Sequence, residues 1–182
     1  GFMYSEGYLH QHIRGDGWQE NITEVLDRDA APIVRVLNSS GDQMVLKVPF
    51  IEPPIYVAVW KVNVGKIPLY LLDTDIEANT PENRTISHRL YTEQSEQRLR
   101  QEIVLGIGGR KLLSDLGIEF SALHLNEGHS AFAQLERIRE RVEKGMTFND
   151  ALEQVKGTSV FTTHTPVAAG NDVFSIELMC KY

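Results

Sequence analysis

One cysteine in 182 residues leaves no partner for an internal disulfide, so Cys180 points to a reducing compartment. No basic cluster interrupts a net charge of −7, which removes the electrostatic footprint of a nucleic-acid binder. Long apolar runs are missing too, and no stretch could span a bilayer. The first residues lack the charged-then-apolar pattern of a secretory signal. Without such a signal, Asn21-Ile22-Thr23 and Asn83-Arg84-Thr85 are chance matches to the glycosylation pattern. Together these absences predict a cytoplasmic protein with neither nucleic-acid nor membrane partners. Internal repeats and low-complexity tracts are also absent. The chain opens on Gly1-Phe2-Met3-Tyr4, an apolar β segment with no initiator methionine. That start is expected of a piece of something longer.

What is present is a 42% hydrophobic composition, enough for a buried core. The chain reads as α/β, with a β-rich first half and a helix-rich second half. We expect one truncated domain, with residues 1–84 its strand-rich part and 85–182 its α/β part. Met44, Leu46 and Val48 alternate with polar neighbours in a strand pattern. Asn63-Val64-Gly65-Lys66 supplies a hairpin turn into Ile67, Leu69 and Leu71. Pro53-Pro54 blocks helix and marks an edge or crossover. The segment from Asp73 to Arg84, rich in acids and with Pro81, predicts a surface loop.

Further on, Ser95 is expected to cap a helix running through Leu116, with Leu99, Ile103, Ile107, Leu112, Leu113 and Leu116 inward. Arg98, Gln101 and Glu102 form its polar side. Gly106, Gly108 and Gly109 each weaken a helix by roughly 1 kcal/mol, which close approach of another backbone would offset. Gly117 ends the helix. Thr147 with Asp150 makes a capping box for the next one, and Ser175 caps a last one.

The strongest functional signal is a repeated strand–loop unit. Ser121 to Leu125 and Thr158 to Phe161 are short apolar runs, read as two buried strands. Asn126-Glu127-Gly128-His129 follows the first, and Thr162-Thr163-His164-Thr165-Pro166 follows the second. A helix with Ala131, Phe132, Leu135, Ile138 and Val142 apolar lies between them. In parallel α/β sheets the loops leaving the carboxyl ends of strands converge on one crevice. Asn126, Glu127, His129, His164 and Thr165 are therefore the predicted substrate-binding residues, and their donors and acceptors suit a polyhydroxylated ligand.

Blander readings stand beside these. Asn126 and Glu127 can simply cap the following helix, and His164 can be a core histidine bonded to a threonine. His124 is expected to be hydrogen-bonded rather than a metal ligand, since no Cys or His pair at ligand spacing accompanies it. No metal site is predicted. Gly106-Ile107-Gly108-Gly109 does not follow a strand, so it fails as a phosphate loop. Asp73-Thr74-Asp75 superficially matches the carboxylate pair that holds a metal–nucleotide in some sugar transferases. Trp18, after Gly15-Asp16-Gly17, can stack on a sugar ring or cover core.

In order along the chain come Gly7-Tyr8 with Gln11, Asp16-Gly17-Trp18-Gln19, and Leu71-Leu72-Asp73-Thr74-Asp75. Arg98-Leu99 with Gln101-Glu102 follows, then Leu105 to Gly109, His124 to Phe132, and Phe161 to Val167. In these segments the chain resembles part of the N-terminal lobe of an α-glucan (glycogen/maltodextrin) phosphorylase of the short prokaryotic type. The resemblance implies a Rossmann-like lobe of a GT-B glycosyltransferase. It implies transfer of a glucosyl unit from an α-1,4-glucan to phosphate, giving glucose 1-phosphate, with pyridoxal phosphate as cofactor. His164 would bind the reacting glucose at its 6-hydroxyl and through its backbone carbonyl, and Thr165 would line the same pocket. Asn126, Glu127 and His129 would stand beside the anomeric centre. Departures are Thr92-Glu93-Gln94 where the gate loop has Gly-Gly-Asp, and Ala168 and Asn171 where Pro and His are usual. Arg110-Lys111-Leu112 replaces Val-Arg-Ala.

None of Lys61, Lys66, Lys111 or Lys156 sits in a cofactor motif. The cofactor lysine, the phosphate-binding residues and a C-terminal lobe are expected outside this chain, so no catalytic set is complete within it. The chain alone is expected to be inactive and not to bind the cofactor, and its oligomeric state is open. Two alternatives belong to other classes: a lobe of a nucleotide-sugar-dependent glucan synthase, and a non-catalytic glucan-binding module stacking sugars on Trp18, Tyr8 and Tyr91. A degenerate remnant with no ligand is a third.

Overall fold

The computed structural model describes residues 1–7, 10–49, 51–90, 92, 94–163, 166 and 172–182. It is a mixed α/β structure of small sheets and helices that divides into two compact units. The first comprises Gly1–Val45 and Ile55–Glu93, the second Leu46–Pro54 and Gln94–Tyr182. Strand β4 (Val45–Val48) runs across that division and buries Leu46 and Val48 while exposing its alternate residues.

In the first unit, β1 (His10–Ile13) and β2 (Gln19–Ile22) form an antiparallel hairpin, His10 opposite Ile22. Both strands are exposed along their length, and Gly17 takes the positive φ of 86° that the turn requires. β5 (Ile55–Val64) is antiparallel to β3 (Val34–Arg35) and to β6 (Ile67–Asp73). The predicted hairpin joins β5 to β6, with Val64 opposite Ile67 and Gly65 at φ 62°. With neighbours on both edges, β5 buries Ile55, Val57, Ala58 and Val59 completely, each valine or isoleucine contributing about 1.5–3 kcal/mol. The N-terminal residues add to the other edge of β6: Met3 N–H donates to Leu72 O and Leu72 N–H to Gly1 O.

The segment read as a surface loop after β6 is exposed only in part: Glu77, Ala78, Thr80, Pro81 and Glu82 face solvent, while Asp73, Thr74, Asn79 and Asn83 are buried. Complete hydrogen bonding is the reason. Asn79 accepts from Tyr56 N–H at 2.8 Å and donates to Tyr56 O at 2.6 Å and Thr74 O at 2.7 Å, in the manner of an extra strand. Thr74 and Ser87 exchange side-chain and backbone bonds, and α1 (Pro81–Arg84) is capped by Thr80.

The second unit is built on one long helix: α2 (Ser95–Ile103), a π turn (Val104–Gly108) and α3 (Gly109–Asp115). Ser95 is its first helical residue rather than its cap. Gly117, at φ 63°, stops it, with Ile118 N–H donating to Leu113 O and Gly117 N–H to Ser114 O, the Schellman pattern. The close approach expected of the glycines occurs at Gly106, where a Cβ would lie 2.7 Å from Ala133 N and 2.8 Å from Phe132 Cβ. At Gly109 the space is open.

That contact seats the start of α4 (Phe132–Glu143) and turns Ala133, Glu136, Arg137 and Ile138 inward. Leu135 and Val142, two of the apolar residues that mark this helix in the sequence, are 58% and 41% exposed. Ile138 packs with Ala151 and Val155 of α5 (Phe148–Gly157). Thr147 caps α5, its Oγ1 accepting from Asp150 N–H and donating to Asp150 Oδ2, so the acid returns to the hydroxyl rather than to the Thr147 N–H of a full capping box, and Ser175 caps α6 (Ile176–Met179). β7 (Leu123–Asn126) and β8 (Ser159–Thr162) pair in parallel across the α4–α5 connection. They are not the buried strands expected: Leu125 alone is buried, and Val160 and Phe161 are half exposed. Each has only the other as a sheet neighbour among the described residues. No helix among them is long and apolar enough to cross a membrane.

Candidate functional site at the ends of two parallel strands

Parallel register fixes where the two polar loops begin. Asn126 stands opposite Thr162, and Glu127 N–H extends the ladder to Thr162 O at 2.9 Å. Both loops therefore leave from the same end, beside one another. His124 pairs across the strands with Thr162 Oγ1 at 2.6 Å, the hydrogen bond expected of it.

The chain then turns abruptly. Glu127 has φ 59° and ψ −170°, the only positive φ outside glycine among the described residues. A side chain held there costs of order 1–3 kcal/mol, and such strain collects at functional sites. Glu127 is buried, Asn126 is exposed, and the short helical turn Gly128–Ser130 presents His129. Removing the strain would need only glycine at 127, and Gly128 shows that glycine is available next door.

Below this turn lies a charged cluster that the sequence had placed on the polar side of a helix. Gln101 and Glu102 are in fact buried. The Arg98 guanidinium donates through Nη2 to His129 Nδ1 and through Nε to Asp172 Oδ2 at 2.9 Å. Glu102 Oε1 lies 3.6 Å from Arg98 Nε and 3.7 Å from His129 Nδ1, too far for a hydrogen bond. Burial, a hydrogen bond to Asp172 and its negative charge raise the Glu102 carboxyl to about 7, against the Arg98 charge. A protonated Glu102 can donate to Asp172, which resolves a carboxylate oxygen otherwise buried with no donor in reach. Burial acts upward on Asp172, but the hydrogen bonds from Arg98 and Glu102 hold it below its ordinary value.

His129 is pushed down, first by burial and then by the Arg98 charge, with Asp172 and Glu127 opposing. Arginine only donates, so Nδ1 must accept and the proton of neutral His129 sits on Nε2. This leaves one N–H donor on a half-buried ring. Glu102, His129 and Asp172 offer three ligand atoms within 4.8 Å of one another. The Arg98 guanidinium already supplies positive charge there, which disfavours a metal cation on Coulombic grounds.

Asn126, Glu127 and His129 thus share one exit, as do Thr162 and Thr163 on the neighbouring strand. His164 and Thr165 lie outside the described residues, as do Tyr8 and Tyr91. Trp18 is 75% exposed at the tip of the β1–β2 hairpin and covers no core. Glu102 and Asp172 were not picked out as site residues from sequence. Arg98, Gln101 and Glu102 at helical spacing were the available signal, since three polar residues on one face gain most when buried together. The other acidic exit, Asp73-Thr74-Asp75, is occupied by the protein itself. Arg28 binds both acids, Arg84 binds Asp75 at 2.7 Å, and Trp60 Nε1 and Ser87 Oγ donate to Asp73.

No family model matches the chain. Curated proteins do. A maltodextrin phosphorylase of Thermococcus litoralis is 44% identical over 176 residues, 97% of this chain and 21% of that protein. A glycogen phosphorylase of Aquifex aeolicus is 43% identical over 98% of this chain and 26% of its own length. A glycogen phosphorylase of Mycobacterium tuberculosis is 39% identical over 100% of this chain and 22% of its own length. The chain therefore spans about a fifth to a quarter of the curated relatives it matches.

Proposed function

We infer that this chain, a relative of glycogen and maltodextrin phosphorylases along nearly all of its length, is part of an α-glucan phosphorylase. The whole protein would move a glucosyl unit from an α-1,4-glucan to phosphate and release glucose 1-phosphate, in the cytoplasm. The chain would contribute a Rossmann-like portion of a GT-B N-terminal lobe. The observation that carries this reading is the 39–44% identity spread over 97–100% of the chain.

In this reading the β7 and β8 exits form the sugar-binding wall. The exposed Asn126 amide and the Nε2–H of His129 hydrogen-bond glucose hydroxyls. The Glu127 carboxylate lends negative potential where positive charge develops at the anomeric carbon. His164 binds the 6-hydroxyl and Thr165 lines the pocket. The Arg98–Glu102–Asp172 cluster holds His129 neutral and fixes its tautomer.

Pyridoxal phosphate is the cofactor that the family resemblance implies, and the lysines present do not fit it. None is buried, and none occurs in residues 121–131 or 158–175. Lys156 is paired with Glu153 at 2.8 Å. The cofactor, the phosphate cradle and the C-terminal lobe are therefore assigned to the rest of the enzyme, and residues 1–182 alone should not turn over.

Phosphorolysis of maltoheptaose tests both halves. The full-length enzyme should release glucose 1-phosphate, and Glu127→Gln in it should lower kcat at least a hundredfold. Turnover by residues 1–182 alone, or a Glu127→Gln enzyme of normal rate, contradicts the reading. The glucan-binding module remains the rival that the exposed Trp18 favours. Maltoheptaose binding that fails with Trp18→Ala but survives His129→Ala would select it.

A further inference from the structure

A second concavity of the same unit lies away from the strand exits and has a different chemistry. It encloses about 300 Å³ and is lined by Arg110, Phe120, Arg137, Arg141 and Thr158, with Glu119 on its exposed rim. Such a volume is at the small end of ligand pockets. Three guanidiniums converge there, Arg110 from α3 and the i,i+4 pair Arg137 and Arg141 from α4. Like charges at that spacing repel along a helix.

Arg137 is the informative one. It is 2% exposed, yet every hydrogen bond it makes goes to a neutral acceptor. Nη1 reaches Gln134 Oε1 at 2.9 Å and Ser159 Oγ at 2.8 Å, while Nη2 reaches Thr158 Oγ1 at 2.5 Å and Thr158 O at 3.3 Å. Among the described residues no carboxylate forms an ion pair with Arg137 or with Arg141, whose own bonds go to Arg137 O and Gln154 Oε1. The cluster's one ion pair is Arg110 with Glu140 at 2.6 Å. Burial, then the charges of Arg141 and Arg110, push Arg137 below its ordinary value, with the more distant Glu140 carboxylate only partly opposing them.

A buried cation without a counter-charge is costly. Phe120 offsets part of that cost, with Arg110 and Arg137 stacked at 5.4 and 5.6 Å from its ring centre. The stacking also holds both planar forks in fixed orientation.

We propose that this concavity binds a small phosphate-type anion, either inorganic phosphate or the phosphate group of a monoester. Arg137 spends its Nη hydrogens on neutral acceptors and contributes charge, whereas Arg141 Nη2 and Arg110 Nη1 take no part in the hydrogen bonds formed among the described residues and can donate to phosphate oxygens. A doubly charged anion neutralises the two arginines that lack acidic partners. Glu119 at the rim weakens the potential and keeps extended polyanions out. The proposal does not depend on phosphorolysis: it concerns residues remote from the sugar wall, and glucan plays no part in it.

The test is calorimetric titration of residues 1–182, at constant ionic strength and without glucan, in two arms. One uses inorganic phosphate and the other glycerol 3-phosphate. The expected result is saturable 1:1 binding in at least one arm, and the arm that saturates more tightly identifies the source. Arg141→Gln should weaken it at least tenfold, Glu119→Gln should tighten it two- to threefold, and the exposed-lysine control Lys66→Gln should leave it unchanged. If Arg141→Gln does not fold, Arg141→Lys serves the same purpose, with about a threefold loss. No saturation in either arm, or binding indifferent to the Arg141 and Glu119 variants, overturns the proposal.

Discussion

Two strands of this chain end in acids, and they end differently. β6 delivers Asp73-Thr74-Asp75 and β7 delivers Asn126-Glu127, each after an apolar run. At the first exit the acceptor sites of Asp73 are engaged by Arg28, Trp60, Ser87 and the Asp75 N–H, and the aspartate is 1% exposed. At the second, Asn126 is exposed, Glu127 sits on a strained backbone, and His129 and Glu102 are shifted from their ordinary pKa values. An acid surrounded by fixed donors of its own chain builds fold. An acid held in strain beside titratable neighbours fits the sugar-binding role proposed for that exit.

The largest expected effect is at the closed exit. Asp73→Ala removes the buried acceptor shared by Arg28, Trp60 and Ser87, leaving Arg28 only Asp75, and should cost about 3–5 kcal/mol in urea unfolding. A loss below 1 kcal/mol would mean the network contributes little and the contrast fails. Gly106→Ala should follow at about 2–3 kcal/mol, since the new methyl meets backbone that cannot yield. Gly109→Ala, in open space, should stabilise slightly, and thermal unfolding of the pair measures the difference directly.

Glu102 gives the third effect through pH. Its folded carboxyl titrates at about 7, against about 4.3 in an unfolded chain. The folded state thus binds the extra proton between those values. This stabilisation is complete below about pH 4 and lost as pH rises through 7, amounting to order 1–3 kcal/mol. Asp172, held low, contributes in the opposite direction below pH 4. Urea midpoints from pH 5 to 8 should fall for the native chain, where Glu102 outweighs the lowered His129 imidazole, and should rise slightly for Glu102→Gln, where His129 acts alone. The smallest effect is at the open exit itself: Glu127→Gly should raise stability by about 1 kcal/mol by relieving the backbone. A destabilised Glu127→Gly would show that the turn is not strained.

Local rules read well from sequence because their causes are local. The β5–β6 hairpin at Gly65, the Gly117 stop and the Thr147 and Ser175 caps all stand where their residue types require. The parallel pairing of β7 with β8 also follows from strand, helix, strand. What failed was burial. The segment after Asp73 is polar in composition and reads as loop, but Asn79 and Thr74 form backbone bonds that pattern reading does not count. Leu135 and Val142 share the apolar pattern of the helix, yet the fit of Phe132 and Ala133 against Gly106 goes with Glu136 and Arg137 facing inward instead. At the site, Asn126, Glu127 and His129 are legible as a strand-exit triplet. Glu102 and Asp172 are not, because Asp172 reaches Glu102 and Arg98 from far along the chain, 74 residues beyond Arg98.

Backbone amide mapping by NMR, with maltoheptaose titrated into isotope-labelled residues 1–182, sets the two acidic exits against each other in one sample. The account predicts that shifts concentrate at residues 124–130 and 159–163, leave 73–75 unmoved, and disappear in His129→Ala. Shifts centred on Asp73–Asp75 or on Trp18, with the β7 end silent, would contradict it.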